Sequence, residues 1–273
     1  MKRLERPLLQ FLTPSALILL LANSGCATPK PPPALTPSTQ PLVLKNVVRG
    51  LPPLSEPPST LLDLRSWRLS LPVGEPHQPT QVDQPALSSF KERDYFYASS
   101  KGVVFRAYAG GVTAPTSNYP HTELREMMLS GREPAAWSTT EGRHTMAFTA
   151  AITHTPIAKP HVVTGQLYDT KGDVVAVRLE REHLFVEAGG NNLGTLETNY
   201  KLGTTFSVTI DASEGRVRVY YNGAQDPRVD VERKIDGCYF KAGVYTQSNT
   251  TKGDAPDAYG EVILSELSVQ HVE

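Results

Sequence analysis

Short runs of alternating or uniformly apolar residues, closed by turn signals, recur along most of this chain, and that rhythm limits the folds open to it. "VVFRAYAG", "HTMAFTAAIT", "VVAVRLER", "HLFVEAGG", "TFSVTIDA", "RVRVYYNG", "CYFKAGVYTQ" and "EVILSELSVQHV" are such runs, and "TKGD", "GGNN", "SEGR" and "YNGA" punctuate them. Successive strand side chains point to opposite faces, so runs of this length and period predict strands. No long helical period accompanies them beyond the N-terminal segment. Strands at this spacing predict an all-β fold, a β-jelly-roll sandwich of two antiparallel sheets. At 273 residues the chain holds one domain of that size together with additional segments.

Those segments are N-terminal. "MKRLERPLLQFLTPSALILLLANSGC" (1–26) has a basic start, an apolar stretch interrupted by Pro14, and small residues before Cys26. It reads as an export signal, and Ser24 and Gly25 before Cys26 resemble a lipobox that would make Cys26 the lipidated first residue. Residues 27–59, including "TPKPPPALTPSTQP", are Pro-rich and form a stiff linker. The folded unit is expected over 60–273. These features predict an exported protein, a periplasmic or surface lipoprotein if Cys26 is lipidated and a secreted one otherwise, touching membrane only through that anchor.

Composition narrows the function classes. The formal net charge of −1 offers no global attraction to nucleic acid. The two cysteines, Cys26 and Cys238, make neither a disulfide framework nor a zinc site. The seven histidines are scattered, and no phosphate-cradling glycine loop, HExxH or Ser-centred elbow is present. No metal or organic cofactor is implied, and the folded unit is expected to be monomeric.

Three predicted strands carry unusual faces. In "YFKAGVYTQ" the odd positions place Tyr239, Lys241, Tyr245 and Gln247 in one row with Gly243 as a gap. In "HTELREM" His121, Glu123 and Arg125 share a face, and Gln166 and Tyr168 do so in "GQLYD". Such rows on a concave sheet suit a long hydrophilic chain, and Arg125 and Lys241 suit an anionic one. Arg106 in "VVFRA" is a further candidate for that groove or an outward strand residue.

These blocks resemble polysaccharide lyase family 7, the alginate-lyase type. The likeness begins at "LDLRSWRLSLPVG" and runs through "GVVFRAYAGGVTAPTSNYPHTELREM", "GQLYDTKGDVVAVRLE" and "NYKLGTTFSVTI" to "YFKAGVYTQSN". It implies a groove that binds a uronate polymer and cleaves it by β-elimination. By resemblance Gln166 and Arg125 face the substrate carboxylate, with Glu123 holding Arg125. Tyr245 is the acid/base at the cleaved bond, its pKa lowered by Lys241 and Arg125. Lys241, Tyr239, Gln247 and Arg106 would line the groove.

Two positions depart from the family pattern: His121 stands where Arg is usual, and Tyr168 where His is usual. Three outcomes fit these exchanges. Lyase chemistry persists through Tyr245, with His121 in the imidazole role and Tyr168 as a second phenol; or the site serves a different uronan; or it binds polymer without cutting, as a uronan-binding surface lipoprotein. A hydrolase fits least, because no pair of opposed carboxylates is evident.

Overall fold

The computed structural model describes residues 56–115 and 117–273. The export signal, Cys26 and most of the linker lie outside the described residues. In chain order the strands are β1 (Trp67–Glu75), β2 (Gln78–Val82), β3 (Phe96–Ser99), β4 (Gly102–Tyr108), β5 (His121–Met128) and β6 (Glu133–Pro134). There follow β7 (Arg143–His154), β8 (His161–Tyr168), β9 (Asp173–Glu180), β10 (His183–Ala188) and β11 (Asn191–Glu197). The series closes with β12 (Thr205–Ser213), β13 (Arg216–Tyr221), β14 (Val229–Glu232), β15 (Tyr239–Thr246) and β16 (Tyr259–Val272). The helical elements among the described residues are three short 3-10 turns.

Two antiparallel sheets form the jelly roll that the run pattern predicts. One is nine-stranded, in the order β11-β10-β9-β8-β15-β5-β1-β2 with β6 beside β5; the other is β14-β13-β12-β7-β16-β4-β3. The alternation in "RHTMAFTAAITH" shows why. Along β7, His144, Met146, Phe148, Ala150 and Ile152 point inward and are buried, while the residues between them are partly exposed. Phe148 reaches the opposite sheet so closely that a Cβ on Gly165 of β8 would lie 2.5 Å from its ring. Trp67, Trp137 and Cys238 are buried in the same core, as their sequence context suggests. Met128, in phase with core residue Leu124, ends its strand and is 47% exposed.

The strand order matters for function because it makes β8, β15 and β5 neighbours at the middle of the larger sheet. The β15–β8 register shifts between Ala242 and Tyr245, where Gly243 and Val244 on β15 face Thr164 on β8. Such a bulge re-aims the residues that follow it. Gly243 sits at φ +143°, and a Cβ there would meet the Thr122 carbonyl oxygen at 2.5 Å and the Phe105 ring at 2.9 Å. Both the backbone angle and the space exclude a side chain.

Gly243→Ala is therefore expected to cost about 2 kcal/mol or more. That corresponds to a fall in melting temperature of roughly 4–8 °C for a domain of this size. A thermal scan of both proteins checks it; an unchanged midpoint would mean that the bulge relaxes freely.

Candidate active site

The outer face of the β8-β15-β5 strip carries the rows expected from the sequence, and the register sets them side by side. Tyr239 pairs with Tyr168. Lys241 stands between Gln166 on β8 and Arg125 on β5, so these three form one rung. Gly243 faces Glu123, and Tyr245 faces His121 on one side and Val163 on the other. Residues opposite one another across strands come within about 5 Å at Cβ, so each rung is a contact unit.

Glu123 is the electrostatic centre of this face. Its side chain is 1% exposed, one carboxylate oxygen accepts from the Gln166 amide, and the other lies 2.5 Å from Lys241 Nζ. The Lys241 contact is an ion pair rather than an aligned hydrogen bond. Burial works against the Lys241 ammonium, but Glu123 outweighs it and raises the lysine pKa above its ordinary value. Lys241 also lies 4.8 Å from the centre of the Tyr168 ring.

Arg125 has other partners. Its guanidinium donates to the Glu126 carbonyl at 2.7 Å and to the Ala135 carbonyl at 3.3 Å, and its Cζ lies 3.9 Å over the Tyr239 ring. The expectation that Glu123 holds Arg125 is thus corrected: Lys241 and Gln166 hold Glu123, and Tyr239 with two carbonyls holds Arg125. Neighbours two apart on one strand face are separated by nearly 7 Å, farther than cross-strand partners.

At the other end of the strip, Tyr245 Oη lies 3.0 Å from Ser117 Oγ, and its ring is perpendicular to that of His121 at 5.6 Å. Burial raises the Tyr245 pKa, and the lowering by Ser117 and Lys241 does not offset it. The expected depression of this phenol is therefore absent; Tyr245 holds its proton at neutral pH. Burial raises Tyr168 in the same way, against the pull of Lys241. His121 Nε2 lies 3.2 Å from Ser70 Oγ, which accepts from the Gln81 amide at 2.9 Å. The ring donates its one N–H to the Tyr119 backbone, so the neutral imidazole accepts at Nε2 from the Ser70 hydroxyl. Burial, with the nearby Lys241 charge, pushes the His121 pKa down to about 4. His121 is a neutral imidazole with its Nε2 lone pair engaged.

An alginate lyase family model matches residues 62–271, more than half of the chain. The chain belongs to the alginate lyases of polysaccharide lyase family 7. Alginate lyase AlgAT5 of that family is 48% identical, with a TM-score of 0.77 over 80% of this chain and 100% of its own. The alginate lyase from Corynebacterium sp. is 39% identical, with a TM-score of 0.76 over 80% and 100% of the two chains. An alginate lyase from Klebsiella pneumoniae is 24% identical over 78% of this chain and 91% of that protein. The protein is accordingly a polysaccharide lyase, and the reading of a binding protein without catalysis gives way.

Two residues expected in the lyase groove sit elsewhere or are already engaged. Arg106 is on β4, in the other sheet, where it pairs with Glu261 at 2.6 Å, lies within 3.3–3.4 Å of the Tyr97 and Tyr108 hydroxyls, and stacks on Tyr259. Alternation alone cannot tell which sheet a strand joins. Gln247 follows β15 and is 7% exposed, with its amide oxygen 3.5 Å from Arg178. Conversely, Ser70, Ser117 and Tyr119 contact the site residues, and Gln81 backs Ser70, without having been legible as candidates, since they come from β1, β2 and the segment before β5. Among the described residues no group of three or more His, Cys, Asp or Glu side chains is placed to hold a metal ion.

The buried neutral His121 has a consequence for stability. The unfolded imidazole titrates near 6.5 and the folded one at about 4. Between those values the unfolded chain binds the extra proton, so stability rises with pH and is lost on acidification from 6.5 to 4. The contribution is about 3 kcal/mol. Melting temperatures of wild type and His121→Gln across that window should converge on acidification; parallel curves would show that His121 is not the titrating group.

Proposed function

We propose that the protein depolymerises alginate by β-elimination, with Tyr245 carrying the proton from C5 of the uronate to the departing O4. The observation that carries this reading is the rung of Gln166, Lys241 and Arg125 on the same strip as the Tyr245 phenol. Removing the C5 proton shifts negative charge onto the adjacent carboxylate, and donors already fixed in place stabilise that charge without reorganising. Lys241 and Arg125 supply permanent charge, and Gln166 an amide whose orientation Glu123 sets.

Tyr245 is the group able to act at both ends of the reaction. As phenolate it takes the C5 proton; the C–H electron pair becomes the C4=C5 double bond, the C4–O4 bond breaks, and O4 leaves with the proton that Tyr245 returns. The phenolate is regenerated, so the step balances without water. His121 is a poor base at a pKa of about 4 with its Nε2 engaged by Ser70, so its place is to orient the Tyr245 ring. This reading keeps lyase chemistry through Tyr245 and leaves His121 outside the base role. Crystal structures of family 7 alginate lyase A1-II′, 26% identical to this chain, include complexes with product (GGG) and with substrate (GGMG), which supports a uronate polymer as the ligand class.

Incubation with polymannuronate, polyguluronate and polyglucuronate, followed by the ultraviolet absorbance of the unsaturated product, tests the reaction and names the polymer. Tyr245→Phe is expected to lower kcat/KM at least about a hundredfold with an unchanged melting temperature. Because the raised phenol must ionise to act as base, kcat/KM of wild type should climb with pH through the neutral range, approaching tenfold per unit. A profile that falls above neutral pH would reject Tyr245 as base.

Export and lipidation at Cys26 complete the proposal: a groove anchored outside the cytoplasm meets polymer that cannot enter the cell. Cys26→Ser should move the protein from the membrane to the soluble fraction of a bacterial host and abolish its labelling by a fatty acid. Retained membrane association would refute the anchor.

A further inference from the structure

The cations of the proposed site lie on one side of Tyr245. Lys241 and Arg125 share a rung toward the start of β15, whereas the Tyr245 rung itself runs from His121 through Tyr245 and Val163 to Arg178. His121 is neutral and Val163 apolar. Arg178 is already compensated, 2.7 Å from Glu180 and 2.8 Å from Glu187. A polyuronate carries a carboxylate on every residue, so a chain crossing Tyr245 brings negative charge to a part of the sheet with no free cation in its strands.

That charge is offered from a loop. Residues 155–160 join β7 to β8, and the buried Asp254 carboxylate accepts the backbone N–H groups of Ile157 at 2.8 Å, Ala158 at 2.8 Å and Lys159 at 3.1 Å. Burial would raise the Asp254 pKa, but these bonds and one from Ser248 outweigh it and hold it below its ordinary value. Asp254 belongs to the segment between β15 and β16, so the loop bearing Lys159 is held by the segment that continues from the strand bearing Tyr245. Lys159 Nζ lies 3.2 Å from Tyr119 Oη and 4.7 Å from the centre of the Tyr119 ring, which is 6.3 Å from the Tyr245 ring. No carboxylate pairs with Nζ among the described residues. An ammonium has three donors, and one directed at the phenol leaves two unspent.

We propose that Lys159, steadied on Tyr119, is a carboxylate-binding subsite for a uronate residue on the far side of Tyr245 from Lys241. This rests on the reading of the groove as a polyuronate site. The subsite supplies the charge that the neutral His121 does not, and it comes from a loop outside the sheet.

The test compares wild type, Lys159→Met and Lys159→Arg on alginate, with binding measured separately in the Tyr245→Phe background by affinity electrophoresis. Lys159→Met keeps the apolar stem over Tyr119 and removes the charge. It should raise KM, and weaken binding, about tenfold with kcat within about twofold. Lys159→Arg should restore most of the loss, and the difference should shrink at raised salt. Wild-type KM and binding in Lys159→Met, or a loss in kcat alone, would overturn the subsite. If wild type leaves every uronate polymer uncut while Lys159→Met still weakens binding, the lyase reading fails and the subsite stands.

Discussion

A carboxylate buried to 1% exposure between two strands sets the terms for this site. Glu123 on β5 reaches Lys241 on β15 and, across β15, Gln166 on β8. Gly243 is its partner in the register, at a point where a Cβ would strike the β5 backbone and the Phe105 ring. Removing one partner of such a group leaves a charge uncompensated in low dielectric, at a cost of about 3–5 kcal/mol. The pair is therefore better understood as a device that fixes register than as a net source of stability. A one-residue slip of β15 would carry Lys241 to the core face and break the contact. The same contact orients the amide of Gln166 and keeps Lys241 charged, so register, geometry and electrostatics of the proposed substrate rung depend on it together.

A second carboxylate works on the opposite face of the same strand. Glu126 is also 1% exposed, and it accepts from Trp137 Nε1 at 3.0 Å and from the Phe240 backbone N–H at 2.8 Å. His271 Nε2 lies 2.6 Å from its other oxygen, and His271 Nδ1 lies 2.7 Å from His144 Nδ1. His144 donates from its remaining nitrogen to the Glu141 carbonyl, and burial lowers its pKa. The network ties β16, β7 and the start of β15 to β5 from beneath. Arg125, whose guanidinium bonds the Glu126 carbonyl, rests on that support.

The rows of His121, Glu123 and Arg125, of Gln166 and Tyr168, and of Tyr239, Lys241 and Tyr245 were legible because alternation fixes which residues share a face. What they touch was not legible. Spacing along one strand suggested that Glu123 holds Arg125, but the nearer partners of Glu123 lie on neighbouring strands, which no local pattern reveals. Arg106 has the alternation of a groove residue and belongs to the other sheet. Ser70 reaches His121 from a strand distant in sequence, with Gln81 behind it, and nothing in their immediate sequence marks them. The neutral state of His121 and the raised Tyr245 are burial effects, and burial is a property of the packed whole.

That last point bears on how the site is poised. Burial pushes the Tyr245 pKa up, and the opposing pull of Ser117 and Lys241 does not prevail. In the proposed mechanism, a uronate carboxylate that engages Lys241 would weaken that pull further, so the phenol would be held more firmly in its protonated form at the moment O4 needs a proton. Protonating the leaving oxygen is thus the half of the reaction that the surroundings favour, and forming the phenolate is the half they oppose. A cation placed nearer Tyr245 would ease the second at the expense of the first. His121, neutral and locked by Ser70, leaves that position without charge, and the proposed subsite cation at Lys159 would bind the polymer from beyond Tyr119 rather than beside the Tyr245 phenol.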